Sequence, residues 1–225
     1  MRKLTFTVLA AALAVLGAVA VHGLLAAEET KPPADASAWV PLFNGKDLDG
    51  WKADPGAKWT VEDGCIVGQQ DNGKVSDLWT TKEYDNFELR FAYKAVWPCN
   101  SGVWYRGAIY QFDILEWKDP VTYSGTLYCS GKMFIFKQPD KSLENRDGWN
   151  EGQVYANGKH LIHWLNGRKI GECDDATSAK GKFGVQVHPG QEFVNMKIFV
   201  KKIEVRLLKA DDKPTEPVAP KKDAK

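Results

Sequence analysis

Short apolar segments broken by glycine, asparagine and aspartate recur along most of the chain and constrain its fold more than any other feature. In residues 87–94, apolar and polar side chains alternate, which is typical of a half-buried strand. Asp63 and Gly64 separate two such segments, and Asn166 and Gly167 separate another pair, as in tight hairpins. No amphipathic helical period follows the N-terminal apolar run. The pattern therefore predicts an all-β sandwich or barrel.

The predicted strands form a single domain over residues 38–208. A chain of 225 residues, 44% of them hydrophobic, is long enough to bury one substantial core. The apolar phase slips between Val200 and Ile203, which predicts a β-bulge in the last strand. Polar residues that recur on one strand phase favour a curved sandwich with one open face.

The two ends of the chain differ in composition from the predicted domain. Arg2 and Lys3 precede an apolar run and small residues, which predicts a signal peptide over 1–27; an uncleaved membrane anchor is the alternative. Residues 28–37 are predicted to be a linker, and the charged, proline-rich residues 209–225 a disordered tail too poor in apolar residues to pack. We therefore expect a periplasmic or secreted protein with no stable membrane span after cleavage.

Composition also narrows the ligands. The formal net charge is +1, and removal of Arg2 and Lys3 with the signal makes it −1, so there is no nucleic-acid footprint. Nine tryptophans are many for this length. Their apolar faces stack well on the apolar faces of sugar rings, although tryptophan is also a common core residue.

The four cysteines are Cys65, Cys99, Cys129 and Cys173. Export makes disulfides chemically feasible, and the spacing does not resemble a zinc site, so bridges and buried free thiols both stay open. Cys99 and Cys129 lie in neighbouring predicted strands of a meander. A Cys99–Cys129 bridge is therefore the first choice among the three pairings.

Residues 97–117 place polar side chains among aromatic ones. The predicted order is a turn at residues 100–102, a strand over residues 103–106 and a second strand over residues 109–116. A buried strand would have to pair each polar group. A ligand-binding concave face is therefore favoured over a half-exposed face with solvated polar residues.

These residues resemble the 3-keto-disaccharide hydrolase domain, a family formerly described as a domain of unknown function. The opening motif is Val-Pro-Leu-Phe-Asn-Gly-Lys-Asp-Leu at residues 40–48, followed by Gly50 and Trp51. Further matches lie in order at residues 59 and 62–64, 84 and 87–89, 100–106, 125 and 127–128, 148–150, 163–167 and 184–188. The resemblance implies a concanavalin A-like jelly roll of the lectin/glucanase type and an enzyme acting on 3-keto-glycosides or 3-keto-disaccharides.

One segment departs from the family pattern. The family's Glu-x-Gln-x-x-Asp reads Gln111, Asp113 and Glu116 in this chain, which also resembles the Glu-x-Asp-x-x-Glu motif of jelly-roll endoglucanases and carrageenases. Those retaining enzymes need two carboxylates about 5 Å apart, and an amide at Gln111 cannot serve as the nucleophile. A regular strand also places Glu116 on the face opposite Gln111 and Asp113, so a bulge is needed to unite them.

A 3-keto sugar needs different groups, namely a base for the C2 proton, a stabiliser for the enolate and help for the leaving group. Asp113, Glu116 and His188 are the candidate acids and bases, and Arg106 is the candidate partner of the enolate oxygen. A divalent metal held by Asp113, Glu116 and His188 is an alternative electrophile. Arg106 and the three acid–base candidates are expected to converge on one face. The alternatives are structural: Arg106 forms an ion pair, and His188 is a histidine at a strand end whose hydrogen bonds are satisfied within the protein.

The remaining candidates bind the substrate, an oxidised glycoside or oligosaccharide. They are Asn100, Trp104, Gln111, Trp164 and Gln186, with Trp104 the better sugar platform because it shares a strand phase with Arg106. Trp164 is the weaker one, since either phase of its strand can face the core. Two other functions stay open, a non-catalytic carbohydrate-binding module and a structural extracellular domain.

Overall fold

A computed structural model of the protein describes residues 38–71 and 73–217. The strands fall into two antiparallel sheets, here called the back sheet and the front sheet. The back-sheet strands are β1 (Val40–Pro41), β3 (Ala57–Glu62), β4 (Cys65–Gln70), β6 (Phe87–Val96), β12 (Asn150–Asn157), β13 (His160–Leu165), β14 (Arg168–Asp174) and β16 (Lys197–Leu207). The front-sheet strands are β2 (Trp51–Ala53), β5 (Ser76–Thr80), β7 (Asn100–Tyr105), β8 (Tyr110–Lys118), β9 (Val121–Tyr123), β10 (Leu127–Cys129), β11 (Met133–Phe136) and β15 (Gly184–Val187).

The sheet order is that of a jelly-roll sandwich. The back sheet runs β14-β13-β12-β6-β16-β4-β3, with β1 beside β16. The front sheet runs β11-β10-β8-β7-β15-β5-β2, with β9 beside β8. Short 3-10 helices span Lys141–Leu143 and Gln191–Phe193. The predicted all-β sandwich is therefore confirmed.

The core lies between the sheets, and β8 shows how the sequence builds it. Tyr110, Phe112 and Ile114 are fully buried and point inward, and the ring of Phe112 packs edge-on against Phe91 of the back sheet at 5.2 Å. Because strand side chains alternate between faces, the intervening residues of β8 point away from the core. This alternation leaves Gln111 and Asp113 on the open face of the front sheet.

Local signals predicted the hairpins and the bulge correctly. Asp63 and Gly64 have φ of 50° and 72°, and Asn166 and Gly167 have φ of 50° and 75°, the positive values that a type I′ turn requires. The pairing of β16 with β6 shifts register between Lys201 and Glu204, where the bulge was expected.

The predicted turn at residues 100–102 is wrong, because these residues open strand β7 and are buried. The chain reverses instead at Arg106 and Gly107, which have φ of 55° and 73°. Gly102 serves packing and not a turn. A Cβ at this position would lie 2.5 Å from the Gln111 side chain, which occupies that space.

The C-terminal segment packs further than predicted. Residues 209–217 form no strand, yet Tyr155 donates a hydrogen bond to the carbonyl of Asp212, and Thr215 donates through its backbone nitrogen and its hydroxyl to Glu88. Glu88 is fully buried and also forms an ion pair with Arg206. Hydrogen bonds to Glu88 and from Tyr155 therefore hold this segment on the back sheet. Residues 1–37, with the predicted signal and linker, and residues 218–225 lie outside the described residues. Within the described residues, no helix has the length and apolar character needed to cross a membrane.

The predicted Cys99–Cys129 bridge is wrong, since all four cysteines are free thiols. Cys129 lies opposite Tyr110 of β8, whereas Cys99 precedes Asn100, which lies opposite Leu115. The two cysteines therefore sit about six residues apart along β8, or roughly 20 Å. A disulfide requires Cα atoms within about 7 Å.

Candidate functional site

Three strands of the front sheet, β7, β8 and β15, bring polar side chains into register on its open face. Gln111 of β8 lies opposite Trp104 of β7, Asp113 opposite Gly102, and Leu115 opposite Asn100. On the other side of β7, strand β15 places Gln186 opposite Gly102. His188 follows Gln186 by two positions, and its backbone N–H donates a hydrogen bond to the carbonyl of Asn100 at 3.3 Å.

These side chains line a cavity of about 340 Å³, within the usual range for a small-molecule site. The lining residues are Asn100, Trp104, Gln111, Asp113, Leu115, Trp117, Tyr128, Met133, Phe134, Gln186 and His188. Aromatic rings form a continuous wall around it. Trp104 packs edge-on against Tyr128 at 6.0 Å, Tyr128 against Phe134 at 6.5 Å, and Phe134 against Trp117 at 6.3 Å.

Asp113 is the buried acid of the cavity. Its side chain is 1% exposed, and its Oδ2 atom has no hydrogen-bond partner among the described residues. Removal from water raises the pKa of Asp113 well above the usual carboxyl range, because the low-dielectric interior disfavours the charged form. Burial therefore favours the protonated form of Asp113, which can donate a hydrogen bond.

His188 provides the complementary group. Its Nδ1 lies 2.7 Å from the carbonyl oxygen of Pro189. A carbonyl oxygen only accepts, so Nδ1 carries the hydrogen and Nε2 keeps the lone pair. The ring packs edge-on against Phe193 at 5.6 Å, which fixes its plane. None of the described residues hydrogen-bonds Nε2, which leaves it able to accept a proton.

Gln111 adds a second unsatisfied group next to Asp113. Its side chain lies over Gly102, and its Nε2 has no acceptor among the residues that the structure describes. Buried polar atoms are seldom left unpaired, because the cost is about 1–3 kcal/mol each. A hydroxylated ligand in the cavity would satisfy both Gln111 and Asp113.

Asp77 supports the site, although sequence reasoning missed it. Its Oδ1 accepts a hydrogen bond from Nε1 of Trp104 at 2.9 Å, which orients that ring. Burial raises the pKa of Asp77 to about 6, with a further contribution from nearby Asp54. The alternation of Asp77 and Trp79 about buried Leu78 was the available signal. It did not show that β5 would lie beside β15.

Comparison with known proteins identifies the family of this chain. The family model of the 3-keto-alpha-glucoside-1,2-lyase-like domain matches residues 38–206, most of the chain. The chain belongs to this family. The suspected membership of the 3-keto-disaccharide hydrolase family is thereby confirmed.

Three relatives illustrate how far the likeness reaches. A 3-keto-disaccharide hydrolase from Bacteroides thetaiotaomicron is 36% identical over 83 residues, which cover 32% of this chain and 29% of that protein. A crystal structure of a proposed glycosyl hydrolase from Parabacteroides distasonis has a TM-score of 0.61 at 24% identity, covering 77% and 95% of the two chains. A Bacillus subtilis protein with a galectin-like fold has a TM-score of 0.54 at 15% identity, covering 76% and 94%. The two structures support the fold alone.

For this family member, six of the nine predicted site residues line one cavity. They are Asn100, Trp104, Gln111, Asp113, Gln186 and His188. The predicted convergence of Arg106, Asp113, Glu116 and His188 is wrong, because only Asp113 and His188 meet there. The site therefore rests on two acid–base groups and an aromatic wall.

Arg106 lies in the turn after β7, and its positive φ takes its side chain out of the strand phase. The guanidinium is 1% exposed and donates to the backbone carbonyls of Asp85 and Ser178 at 2.9–3.2 Å. Arg106 is thus a structural residue, as the alternative interpretation held. Its partners are backbone carbonyls, however, and not the carboxylate of an ion pair.

Glu116 and Trp164 also lie outside the cavity. Glu116 points to the other face of β8, as regular alternation requires, and pairs with Lys141 at 3.2 Å and with Arg146 at 2.5 Å. Trp164 is 1% exposed on the back sheet and donates its indole N–H to Glu216 at 3.2 Å. Because β8 has no bulge between Asp113 and Glu116, these two side chains lie on opposite faces of the strand. Trp164 lies where it does because its ring packs against the back sheet.

The proposed divalent metal stays a prediction, with a reduced ligand set. Asp113 and His188 are the two members of the predicted set that share the cavity. The residues described contain no group of three or more His, Cys, Asp or Glu side chains arranged to hold a metal ion.

Proposed function

We propose that this protein is an exported enzyme that cleaves 3-keto-glycosides by elimination followed by hydration. Membership of the 3-keto-alpha-glucoside-1,2-lyase-like family supports the reaction class. The observation that carries the proposal is the pairing of unlike groups in one cavity. His188 has an available lone pair on Nε2, and Asp113 is a buried carboxyl group whose raised pKa favours the protonated form. A proton donor and a proton acceptor that line the same cavity are typical of acid–base sites.

The first step removes the C2 proton of the sugar, which the C3 ketone makes acidic. His188 Nε2 takes this proton, and the electrons of the C2–H bond form a C2–C3 double bond with negative charge on the C3 oxygen. Asp113 donates a hydrogen bond to that oxygen, which stabilises the enolate as it forms. This assignment replaces Arg106 as the enolate partner.

The second step breaks the glycosidic bond. The C3 carbonyl re-forms, a C1–C2 double bond appears, and the C1–O bond breaks with its electron pair on the departing oxygen. His188 returns its proton to that oxygen. Water then adds its hydroxyl group to C1 and a proton to C2, which gives the free 3-keto sugar. Trp104 supplies a stacking surface for the ring, and Asn100, Gln111 and Gln186 supply hydrogen-bonding groups for its hydroxyls.

Turnover of 3-keto-trehalose and of a 3-keto-glucoside, followed as released sugar, tests the proposal. His188→Gln should lower kcat/KM by about 10²–10⁴-fold, the usual contribution of a general base. His160→Gln is the matched control, because His160 lies on the back sheet, pairs with Asp174 and does not line the cavity, and its turnover should stay within about twofold of the parent. No sugar release from any keto-glycoside by the folded protein would refute the proposed activity.

A non-catalytic carbohydrate-binding module is the second candidate. The Trp104 ring fixed by Asp77 and the unpaired Gln111 amide favour it, because both can bind a sugar without proton transfer. Calorimetric binding of unoxidised glycans, with no turnover of keto-glycosides, would support this function over the enzyme.

A further inference from the structure

The proposed base lies in a short segment, residues 188–190, that a side chain of the other sheet holds; we call it the His188 segment. His188 directly follows strand β15, and its backbone N–H donates to the carbonyl of Asn100 in the front sheet at 3.3 Å. Its backbone carbonyl accepts a hydrogen bond at 2.8 Å from Nε2 of Gln70, the last residue of β4 in the back sheet. The backbone of His188 is therefore fixed from both sheets.

Gln70 also holds the far end of the His188 segment. Its Nε2 donates a second hydrogen bond, at 2.9 Å, to the carbonyl of Gly190. Gly190 has φ of 123°, which L side chains rarely adopt, and its N–H donates to the carbonyl of Gly73 at 3.2 Å. An amide nitrogen carries two hydrogens, so Gln70 uses both on the two carbonyls that flank the carbonyl of Pro189.

The carbonyl of Pro189 is the one that orients the imidazole ring. Nδ1 of His188 lies 2.7 Å from this oxygen, and the contact leaves the lone pair on Nε2. A shift of the Pro189 carbonyl would weaken this hydrogen bond and allow the ring to rotate and to populate the other tautomer. Because Gln70 binds the carbonyls on either side, it limits the movement of the carbonyl between them.

The surroundings of Gln70 indicate that its amide serves the His188 segment. The side chain is buried, and its Oε1 atom has no hydrogen-bond partner among the described residues. An unpaired buried oxygen destabilises a fold, so a glutamine that only stabilised the core would be expected to pair both ends of its amide. Strand β4 also approaches β15 closely here, since a Cβ at Gly68 would lie 2.9 Å from the Val187 side chain.

We propose that Gln70 is a positioning residue for the base, and that it sets the orientation and the tautomer of His188 through the carbonyls of the His188 segment. This inference rests on the proposed function, because it takes His188 as the base. Gln70 does not line the candidate cavity, so it acts through His188 and not on the sugar. A base depends in this way on the hydrogen bond that its other ring nitrogen makes.

The first test compares Gln70→Met with Gln153→Met in the full-length protein. Gln153 is the matched control, because it is also a buried back-sheet glutamine whose Nε2 donates to a backbone carbonyl, that of Thr215, at 2.7 Å. Gln70→Met should lower kcat for 3-keto-trehalose about 10–100-fold and leave KM within about twofold, since a misplaced base slows the reaction without weakening binding. Gln153→Met should leave kcat within about twofold of the parent.

Gln70→Asn is a milder second variant, which covers the case in which the apolar variant does not fold. It keeps a buried amide, but its side chain is one methylene too short to reach both carbonyls. We expect a loss of kcat in the same direction, again with KM nearly unchanged.

Nitrogen-15 NMR of the histidine rings measures the tautomer without any turnover. Spectra recorded at about pH 8, above the ordinary histidine pKa of about 6.5, should show His188 of the parent with its hydrogen on Nδ1. Gln70→Met and Gln70→Asn should show a mixture of both tautomers, and Gln153→Met should match the parent. The chain has four histidines, so the signal of His188 is assigned by its absence from His188→Gln.

An unchanged tautomer in both Gln70 variants, or equal losses of kcat in Gln70→Met and Gln153→Met, would overturn the positioning role. A parent spectrum in which His188 carries its hydrogen on Nε2 would do the same. Failure of the parent to cleave any keto-glycoside refutes the proposed enzyme, and the ring spectra then still decide whether Gln70 sets the tautomer of His188.

Discussion

The protonation state of Asp113 gives the sharpest mutational prediction. Burial raises the pKa of Asp113 well above the usual carboxyl range in the folded protein, whereas the same carboxyl group in the unfolded chain ionises with a pKa of about 3.9. Above pH 4 the unfolded chain therefore binds fewer protons than the folded one. The free energy of unfolding should fall as pH rises, by up to about 1.4 kcal/mol per pH unit, until pH reaches the folded-state pKa.

Asp113→Asn removes this titration, because an amide stays neutral at every pH in the range. Relative to the parent, the variant should gain stability as pH rises above about 4 and until pH reaches the folded-state pKa of Asp113, with a rise in Tm difference of up to roughly 3–5 °C per pH unit. Comparison across pH cancels any constant cost of the buried amide. Thermal unfolding of the two proteins at three pH values measures the effect.

Turnover of two variants separates the proposed role of Asp113 from that of a base. An amide still donates a hydrogen bond, so Asp113→Asn should keep much more activity than Asp113→Leu, which should lose about 10²–10³-fold. A base at Asp113 predicts large and equal losses in both variants. A Tm difference that does not move with pH, or that moves against the variant, would refute the neutral acid.

Two further predictions concern the framework. Arg106→Gln removes the charged donors from the buried carbonyls of Asp85 and Ser178, so the free energy of unfolding should fall by about 2–4 kcal/mol. Paired melting and turnover assays should show kcat within about threefold of the parent, whereas a catalytic Arg106 would give a large loss of kcat with little change in stability. Because the four thiols are free, thiol titration in denaturant without reductant should count four, and reductant should leave Tm unchanged; a count of two would contradict the structure.

Local sequence signals were sufficient for the fold. Alternation in residues 87–94 predicted a half-buried strand, and β6 buries Phe87, Leu89, Phe91 and Tyr93. Residue pairs that accept positive φ fixed the hairpin after β3. These features depend on neighbours within a few residues, so they could be predicted without knowledge of the tertiary structure.

Features that depend on distant partners were the ones that failed. Arg106 left the strand phase because the chain turns there, and its partners lie at residues 85 and 178. Glu116 pairs with Arg146, 30 positions away in sequence. Glu88 holds the C-terminal segment through Thr215, 127 positions away, although that segment has few apolar residues. No local pattern encodes such pairings, which follow from sheet order.

Hydrogen isotope labelling tests the central claim of elimination and hydration most directly. Cleavage of 3-keto-trehalose in D2O should place deuterium on C2 of the released 3-keto sugar, because that carbon loses its hydrogen and regains one from solvent. Mass spectrometry of early product measures the label, with protein-free substrate and His188→Gln as controls for spontaneous exchange. Deuterium at C2 in nearly all of the early product is predicted. Released 3-keto sugar that keeps its original C2 hydrogen would contradict the elimination mechanism.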